Sequence, residues 1–350
     1  MKVYNSIILF IFLLFAGYAY SQNTKEFHEE IDVNSNAEVE IRNQFGDVTV
    51  VSWDENRVVI DVLVTVKGKN QNKIESKLNE IDIDFILNKN KVIAHTKINE
   101  GWGIGWFNSN NLNYQIDYEV KVPKNSPLTI NNDYGAIVIN SINAPVYLSC
   151  DYGKLVLGDL LSDQNELHFD YTTNSTIDFI KGGHIYADYS GIEIAEAENI
   201  ELKADYTNAT FSTIQSLRFK NDYGKLSVDQ VNQMEGEGDF LALRIGEIYR
   251  EIDLKHEFGS IKIEHIMPSA KRIIINAEYT GIQLGIDPKW DYEYTFDLEY
   301  ASLKETLNLT PKIERVESRY KYINGTVGEN PISKLTVTTE FGNLKLNPNP

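Results

Sequence analysis

Cysteine is nearly absent from this chain, since Cys150 is the only one in 350 residues. A single cysteine excludes an intrachain disulfide, so stability must come from packed secondary structure. Basic residues are also scarce: 33 Lys and Arg face 51 Asp and Glu, which gives a formal net charge of -18. Nucleic acids and anionic lipids bind clusters of Lys and Arg, so this balance argues against both as partners.

Long apolar runs are missing after the N-terminus. Residues 1–21 read as a secretory signal peptide, with Lys2, an apolar run over 7–15 and Ala19-Tyr20-Ser21 as the cleavage site. The run is too short for a membrane-spanning helix, and no cysteine at the cleavage site offers a lipid anchor. We therefore expect a mature protein that begins at Gln22, has no transmembrane segment and acts outside the cytoplasm, as a secreted, cell-surface or periplasmic protein.

Residues arranged for catalysis or metal binding are also lacking. The six histidines show no metal-ligand spacing, and nothing near Cys150 marks it as an activated nucleophile. Carboxylates are abundant, but they follow a regular pattern, whereas a catalytic site would interrupt it with a local cluster. The sequence predicts neither a catalytic residue nor a metal site, and it predicts that the protein is not an enzyme.

The chain does contain a repeated signature of an acid, an aromatic residue and, in most copies, a small residue. Counted from acid to acid, the steps are 17 to 21 residues, followed by one of 41 that Arg319-Tyr320 divides into 20 and 21. A fixed period near twenty predicts a solenoid, and the β-rich composition predicts the all-β class. The signatures are Asp133-Tyr134-Gly135, Asp151-Tyr152-Gly153, Asp170-Tyr171-Thr172, Asp188-Tyr189-Ser190, Asp205-Tyr206-Thr207, Asp222-Tyr223-Gly224, Asp239-Phe240-Leu241, Glu257-Phe258-Gly259, Glu278-Tyr279-Thr280, Glu299-Tyr300-Ala301 and Glu340-Phe341-Gly342.

Side-chain parity indicates how each repeat lies. Leu217, Phe219 and Tyr223 share one face of a strand, and the apolar alternation resumes out of phase at Leu226 and Val228, so the chain turns just after the aromatic residue. Each repeat then forms two short strands joined by a corner, one coil of a parallel β-solenoid with roughly a dozen coils. Shared parity with the core favours rings stacked inside the corner; the alternative is an exposed aromatic track for sugars. The predicted structural ladder is Tyr134, Tyr152, Tyr171, Tyr189, Tyr206, Tyr223, Phe240, Phe258, Tyr279, Tyr300 and Phe341.

The acid of each signature has the opposite parity and should point outward. Repeated coils would place these acids in a column about 5 Å apart, where neighbouring charges in water repel by roughly 0.8 kcal/mol. The carboxylates then either accept amide protons at the corners or form a stripe that binds cations or a partner. We expect no cofactor, and calcium bound along this column is the one exception that the pattern allows.

The region before the repeats, residues 22–127, is predicted to be a β-rich cap, and residues 128–350 the repeat solenoid. Gln44-Phe45-Gly46 resembles a degenerate first corner. The apolar spacing predicts one helix over 71–80 that covers an end or edge of the sheet, and then a hairpin with strands at 83–87 and 92–98.

An aromatic loop at residues 99–113 interrupts this cap region. Trp102, Trp106 and Phe107 lie among glycines and asparagines, which fits neither a regular strand nor a helix. Flat rings on a loop suit stacking on sugars or insertion into an apolar partner surface, and these three residues are the candidate ligand-binding residues. The alternative is that the rings fold back and plug the end of the solenoid.

Three segments resemble a family of bacterial envelope proteins known as "putative adhesins". They are Gln44-Phe45-Gly46-Asp47-Val48 with Trp53, the strand 118–123, and the stretch 128–135 that opens the repeats. The resemblance covers nearly the whole mature chain, and it implies a signal peptide, a β-rich N-terminal part, a β-solenoid and a binding or scaffolding role outside the cytoplasm. It supplies no functional residues.

The sequence therefore favours a non-catalytic, adhesin-like protein that recognises a glycan or another envelope component. A carbohydrate-active β-helix enzyme and a structural periplasmic protein are the alternatives. Turnover of a polysaccharide would identify the enzyme. Protection from added protease in intact cells would identify the periplasmic protein.

Overall fold

The computed structural model describes residues 23–99, 112–307 and 309–349. β-Strands dominate these ranges, as the composition predicts. The strands before the regular repeats are β1 (Thr24–Asp32), β2 (Glu38–Gln44), β3 (Val48–Trp53), β4 (Arg57–Lys67), β5 (Ile81–Leu87), β6 (Lys91–Ile98) and β7 (Asn113–Pro123).

The repeats begin with short strands separated at each corner and continue with longer ones. The short strands are β8 (Leu128–Asp133), β9 (Ala136–Ile142), β10 (Val146–Asp151), β11 (Lys154–Leu160) and β12 (Asn165–Asp170). The longer ones are β13 (Ser175–Asp188), β14 (Gly191–Asp205), β15 (Asn208–Asp222), β16 (Gly224–Asp239), β17 (Leu241–Ile266) and β18 (Arg272–Ile286). The C-terminal strands are β19 (Tyr292–Glu299), β20 (Ser302–Glu305), β21 (Pro311–Glu317), β22 (Tyr320–Val327), β23 (Ser333–Glu340) and β24 (Asn343–Pro348).

Equivalent residues of successive repeats pair in register. Strand β10 lies between β8 and β12 in parallel, so that Asp151 is opposite both Asp133 and Asp170. After the corner, β11 lies between β9 and β13 in the same manner. The sheet is large and mostly parallel, and from β8 to β18 each strand pairs with the equivalent strand one repeat away along the chain.

The core lies along the inward face of these strands. Leu217 and Phe219 before a corner, and Leu226 and Val228 after it, are all buried, as their parity predicts. Fully burying one such side chain contributes about 1.5–3 kcal/mol, and the repeat places another on top of it in each layer. Stacked apolar columns thus hold the sheet together without a cross-link.

The single helix of the described residues, α1 (Gln71–Glu80), lies where the periodicity predicts it. The Asn70 side chain accepts a hydrogen bond from the Lys73 amide at 3.2 Å and caps its N-terminus. Ile74 and Leu78 are buried on one face, which packs against β4 and β5. At ten residues, α1 is too short and too polar to span a bilayer. The predicted hairpin is also present, as antiparallel β5 and β6.

The predicted cap region and the repeats share one sheet. Strand β2 pairs with β8, and β3 with β9, so the corner at Phe45 continues the repeat stack across a gap of almost 90 residues in sequence. The gap contains β4 and β7, which pair antiparallel, together with the helix and the hairpin. Strand β1, which precedes β2, pairs antiparallel with β4 on its other side. The boundary at residue 127 stays a prediction.

The C-terminal strands do not stack in chain order. Strand β23 lies between β18 and β19, and β24 between β18 and β20, so the last signature in sequence is inserted before the previous one. Arg319-Tyr320 therefore does not form an intervening corner. Tyr320 instead begins β22, which pairs antiparallel with both β19 and β21. Long-range pairing sets this order, and the spacing of the signatures does not reveal it.

Candidate binding surface

The aromatic residues of the signatures form one continuous stack. From Phe45 to Tyr279 and then Phe341, successive ring centroids are 4.7–5.2 Å apart and ring planes agree within 8°. Tyr300 follows Phe341 at 4.8 Å and 20°. The ring spacing matches the separation of hydrogen-bonded strands, because each ring is carried by one layer of the sheet. We call these twelve rings the aromatic ladder; it extends over roughly 50 Å.

The ladder lies on the surface, so the interior placement predicted from strand parity is wrong. The eleven rings from Tyr134 onward are 40–54 % exposed. Every ladder residue has a positive φ, between 48° and 63°, in the left-handed region. Parity holds only while the backbone stays extended, and one left-handed residue turns its side chain out of the alternation. The ring consequently leaves the core face, while the residue two positions before it and, in several repeats, the residue after it are buried.

Buried residues flank the acid and the ring of the signature. Asn221, two residues before Tyr223, is fully buried, and Thr172, Ser190 and Thr207, directly after their rings, are buried as well. The Thr207 hydroxyl donates a 2.8 Å hydrogen bond to the Ala187 carbonyl, which satisfies a polar group inside the corner.

Close packing explains the glycines that follow several rings. A Cβ at Gly135 would collide with the carbonyl of Gly46, and one at Gly153 would collide with the carbonyl of Gly135. The small third residue of the signature thus reflects the space between successive corners.

A ligand meets the edges of the ladder rings rather than their faces. Within the stack each face is covered by the next ring, and the exposed surface is the ring edge. From Tyr134 to Tyr223 six consecutive rings are tyrosines, whose phenol groups can donate and accept hydrogen bonds. Sugar rings therefore cannot stack on internal ladder rings, although they can lie across the edges.

Both ends of the ladder carry a nearby cation. Tyr114 packs edge-on against Phe45, with the Lys77 ammonium 4.7 Å from its ring centre. At the other end the Arg319 guanidinium lies 5.2 Å from the centre of Tyr300 and donates a 3.2 Å hydrogen bond to its hydroxyl. These contacts cover the terminal ring faces of the stack, which would otherwise be exposed to water.

The acids of the signatures form a column beside the ladder, as predicted. Asp170 accepts a 3.1 Å hydrogen bond from the Asp188 amide, and Asp188 one of 3.0 Å from the Asp205 amide, so carboxylates in this part of the column bind the amide of the next corner. We call the eleven acids the acidic column; they are Asp133, Asp151, Asp170, Asp188, Asp205, Asp222, Asp239, Glu257, Glu278, Glu340 and Glu299.

The acidic column carries uncompensated charge. Partial burial, followed by repulsion from neighbouring acids, raises the pKa of Asp133, Asp205 and Asp239 above the ordinary range. The pKa of Asp170 is also raised, chiefly by burial, although the Asp188 amide opposes this effect. Among the described residues, no ion pair within 4.0 Å involves a member of the column. Acids two residues earlier in the strands do find partners, for example Glu237 with Lys220 at 3.0 Å.

Two clefts follow the acidic column along the outer face of the strands. The first has a volume of about 480 Å³ and is lined by Asp151, Asp170, Asp188, His168 and Tyr186, among others. The second, of about 650 Å³, extends to Tyr320, and its lining includes eight acids and two lysines.

The far wall of the first cleft is aromatic. His168 and Tyr186 stack with ring centres 4.4 Å apart, and Tyr147 lies 5.5 Å from His168. The Lys203 ammonium is 5.6 Å from the centre of the Tyr186 ring and pairs with Glu201 at 3.4 Å. This wall therefore already accommodates one ammonium group.

The other residues considered from sequence lie elsewhere. Trp102, Trp106 and Phe107 lie outside the described residues, as does the signal peptide, so their roles stay predictions. Cys150 is buried, and burial is the main cause that raises the pKa of its thiol to about 12, which disfavours the reactive thiolate. No group of three or more His, Cys, Asp or Glu in the described ranges is placed to hold a metal ion.

The sequence favours the interior ladder over the exposed aromatic track that is its alternative, and it does not reveal the cleft. The small residue after many of the rings is the signal that could identify the exposed arrangement, because it marks a corner at which the aromatic residue itself is left-handed. The sequence indicates a corner at Phe45 but does not place Phe45 in the ladder.

Comparisons with known proteins give a distant structural likeness. No protein-family model and no curated protein matches the chain. A crystal structure described as a putative cell adhesion protein from Clostridium sporogenes aligns at 12 % identity, covering 93 % of this chain and 100 % of that one, with a TM-score of 0.21. A putative adhesin from Parabacteroides distasonis aligns at 8 % identity, covering 92 % and 97 % of the two chains, with a TM-score of 0.36.

A structure from the same organism described as a putative lipid binding protein aligns at 9 % identity and a TM-score of 0.32, covering 92 % and 96 %. Since identities and TM-scores are this low, the function of this chain must follow from its own residues. The family resemblance seen in the sequence stays a hypothesis.

Proposed function

We propose that this chain is a non-catalytic, adhesin-like binding protein that acts outside the cytoplasm and recognises a glycan or another envelope component. The observation that carries the proposal is the aromatic ladder, a continuous strip of half-exposed rings along one edge of the molecule. Contiguous exposed apolar surface of this extent is typical of an interaction site.

The form of the strip suits an elongated ligand. Ring edges repeat at the strand spacing over roughly 50 Å, and the tyrosine hydroxyls add hydrogen-bonding groups at the same interval. A polymer that lies along the strip would gain many small contacts, each repeated in the next layer. A compact ligand would use only a few of them.

The proposed architecture is a parallel β-solenoid of roughly a dozen coils. Parallel pairing of equivalent strands both before and after the corners supports it, since a coil must contact its neighbour on each of its sides. The predicted secretory leader supports a location outside the cytoplasm, which means the cell surface, the periplasm or the surrounding medium.

The test is a sedimentation assay of the purified protein with intact bacterial cells and with insoluble polysaccharides. In the ladder variant, Tyr152, Tyr171 and Tyr189 are each changed to Asn, because Asn tolerates the left-handed backbone and removes the ring. We expect the parent protein to bind saturably. The ladder variant should bind about ten-fold more weakly or worse, because three adjacent aromatic contacts are lost.

The matched control changes Leu161, Val316 and Ile332 to Asn, which removes exposed apolar side chains away from the ladder. Equal loss in both variants would contradict a role for the ladder. A third variant with Trp102, Trp106 and Phe107 changed to Ala tests the loop: if it alone loses binding, the site is in the loop and the ladder is structural.

A further inference from the structure

We propose that one part of the aromatic ladder binds a flat, elongated aromatic cation, whose π face lies across the edges of the ladder rings. This part, the phenylalanine segment, consists of Phe240, Phe258, Tyr279 and Phe341, which are consecutive in the stack. The inference rests on the proposed function, in which the ladder is the binding surface, and it names a ligand class for this segment.

The phenylalanine segment exposes hydrocarbon where the preceding part of the ladder exposes phenol groups. Phe240, Phe258 and Phe341 are 49, 40 and 41 % exposed. A tyrosine at the same position would stack equally well and place a hydroxyl in water, as it does at the six consecutive corners from Tyr134 to Tyr223. Clustered apolar surface that the fold does not require indicates contact with another molecule.

The geometry of the stack selects the kind of contact. Neighbouring rings of the segment are 4.8–4.9 Å apart and cover each other's faces, so that a ligand meets only their edges. The edge is the positive part of the ring quadrupole, and its favoured partner is the negative face of another aromatic system. A flat aromatic ligand along the ladder would receive one edge from each layer that it crosses. A sugar offers no π face, and a simple cation is not attracted by a ring edge.

Free carboxylates border the same segment. The acid of the signature changes from Asp to Glu after Asp239, and Glu257, Glu278 and Glu340 are register partners in adjacent layers. Asp222 accepts a 3.0 Å hydrogen bond from the Asp239 amide, but among the described residues no hydrogen bond or ion pair engages the side chains of the three glutamates. A positive charge on the aromatic ligand would complement these carboxylates.

The lysines closest to this part of the acidic column do not neutralise these glutamates by contact. Lys220 and Lys255 line the adjoining cleft together with the glutamates. Lys220 pairs with Glu237 at 3.0 Å, and within the described ranges Lys255 forms no ion pair.

The opposite side of the segment is low and uncharged. Ser260, Gly281 and Asn343 are register partners three residues after the acids. A Cβ at Gly281 would find its nearest neighbour 3.9 Å away, so packing does not require glycine there. In the tyrosine part of the ladder, Lys154 and Lys225 occupy equivalent positions. The ring edges of the phenylalanine segment are therefore accessible from a side on which no lysine follows the rings.

Fluorescence titration of the whole purified protein with thioflavin T at low ionic strength tests the proposal. This dye is a flat aromatic cation that fluoresces when its internal rotation is restricted. We expect a saturable signal from protein that size-exclusion chromatography shows to be free of aggregates. The variant with Phe240→Asn, Phe258→Asn and Phe341→Asn should bind about ten-fold more weakly or worse, because three edge contacts are lost and Asn tolerates the left-handed backbone.

The matched control for the rings changes Leu161, Val316 and Ile332 to Asn, which removes three exposed apolar side chains outside the ladder. Its dye affinity should stay within about two-fold of the parent, because no ring edge is removed. Equal weakening in both variants would overturn the proposal.

A second variant addresses the ring edges without removing the rings. Phe240→Tyr, Phe258→Tyr and Phe341→Tyr keep the stack and the fold but place a hydroxyl at each exposed edge. We expect about three-fold weaker dye binding or worse, because the π face of the dye then meets hydroxyl groups in place of C–H edges. Unchanged affinity would contradict the role of the bare edges, even if the asparagine variant fails to fold.

The glutamates are tested with Glu257→Gln, Glu278→Gln and Glu340→Gln. We expect dye binding to weaken about five-fold or more, because three exposed charge contacts are lost together. The matched control changes Glu26, Glu193 and Glu196 to Gln at exposed positions away from the segment, and it should stay within about two-fold of the parent because distant charges are screened. Equal weakening would reduce the effect to general charge attraction and overturn the proposal.

Two further probes separate the aromatic from the charge requirement. Putrescine, a cation without rings, should not displace thioflavin T at equal concentration, and Congo red, a flat aromatic anion, should bind at least about ten-fold more weakly. Displacement by putrescine, or equal binding of Congo red, would overturn the proposal.

The outcome also separates this inference from the proposed function. Absence of dye binding while the ladder variant still loses cell binding would refute the aromatic ligand and leave the adhesin role intact. Dye binding by a protein that binds no cells or polysaccharide would support the aromatic ligand and refute the adhesin role.

Discussion

At the scale of the residue, the corner depends on an aromatic side chain in a conformation that aromatic residues rarely adopt. Twelve residues of the ladder share a left-handed φ, although for residues other than glycine, asparagine and aspartate this region costs roughly 1–2 kcal/mol. Stacking of each ring on two neighbours offsets this cost, since a stacked aromatic pair contributes about 0.5–1.5 kcal/mol beyond its burial. The ladder is therefore both a surface feature and a condition for the turn.

Substitution of Tyr206 tests this balance. Both Tyr206→Gly and Tyr206→Ala remove the ring, but glycine adopts the left-handed region freely, so we expect the glycine variant to be more stable by about 1 kcal/mol. Urea unfolding monitored by circular dichroism measures the difference. At the exposed strand position Ser212 the usual order should hold, with alanine more stable than glycine. The same order at both positions would contradict the strained corner.

At the scale of the element, pairing between distant strands decides which layers touch. Strand β23 enters between β18 and β19, so the ladder contact of Tyr279 is with Phe341, and Tyr300 becomes the last ring. The antiparallel pair β21 and β22 then continues the sheet beyond β19. With the Arg319 guanidinium over Tyr300, the ladder does not end in an open ring face.

Engineered cysteine pairs test this order. Asn276 is opposite Thr338, which is in turn opposite Asp297. We expect the double variant Asn276→Cys with Thr338→Cys to form a disulfide, because Cα atoms of adjacent strands lie within the range of about 4.4–6.8 Å that a disulfide spans. The pair Asn276→Cys with Asp297→Cys should stay reduced, because β23 separates them.

Electrophoresis without reductant after mild oxidation, with mass spectrometry of the linked peptides, identifies the bond. Buried Cys150 should not interfere. A disulfide only in the second pair would mean that the last two signatures stack in chain order.

At the scale of the whole molecule, a net charge of -18 is concentrated in part along one column. Protonation relieves repulsion there, so the pKa of Asp205 and of Asp239 is raised by partial burial and neighbouring acids. A carboxyl whose pKa is higher in the folded state favours folding while it is protonated, and this contribution is lost as the pH rises through the folded pKa. The column therefore lowers stability at neutral pH relative to acidic pH.

The variant with Asp205→Asn and Asp239→Asn should reveal this contribution. We expect it to be more stable than the parent at pH 7, with a difference that shrinks towards pH 4, where the parent's carboxyls also become neutral. The urea midpoints of the parent and the variant are measured across this pH range. Both proteins contain His256, whose pKa burial lowers to about 4, so its contribution to the pH dependence cancels in the difference. High salt should reduce the difference at pH 7 by screening. A difference that is constant with pH would contradict repulsion within the column.

The repeat length, the corners at the acid–aromatic signatures, the buried strand faces, the helix Gln71–Glu80 and the hairpin that follows it can all be predicted from the sequence. These features depend on local spacing, which strand and helix periods translate directly into burial. The outward orientation of the ladder, and the position of Phe341 before Tyr300 in the stack, become visible only in the folded chain. The first depends on one backbone dihedral per repeat, which alternation rules assume to be extended. The second depends on pairing between strands that are distant in sequence. Every layer presents a strand edge that is nearly the same, so the order of the layers follows only from the complete set of contacts.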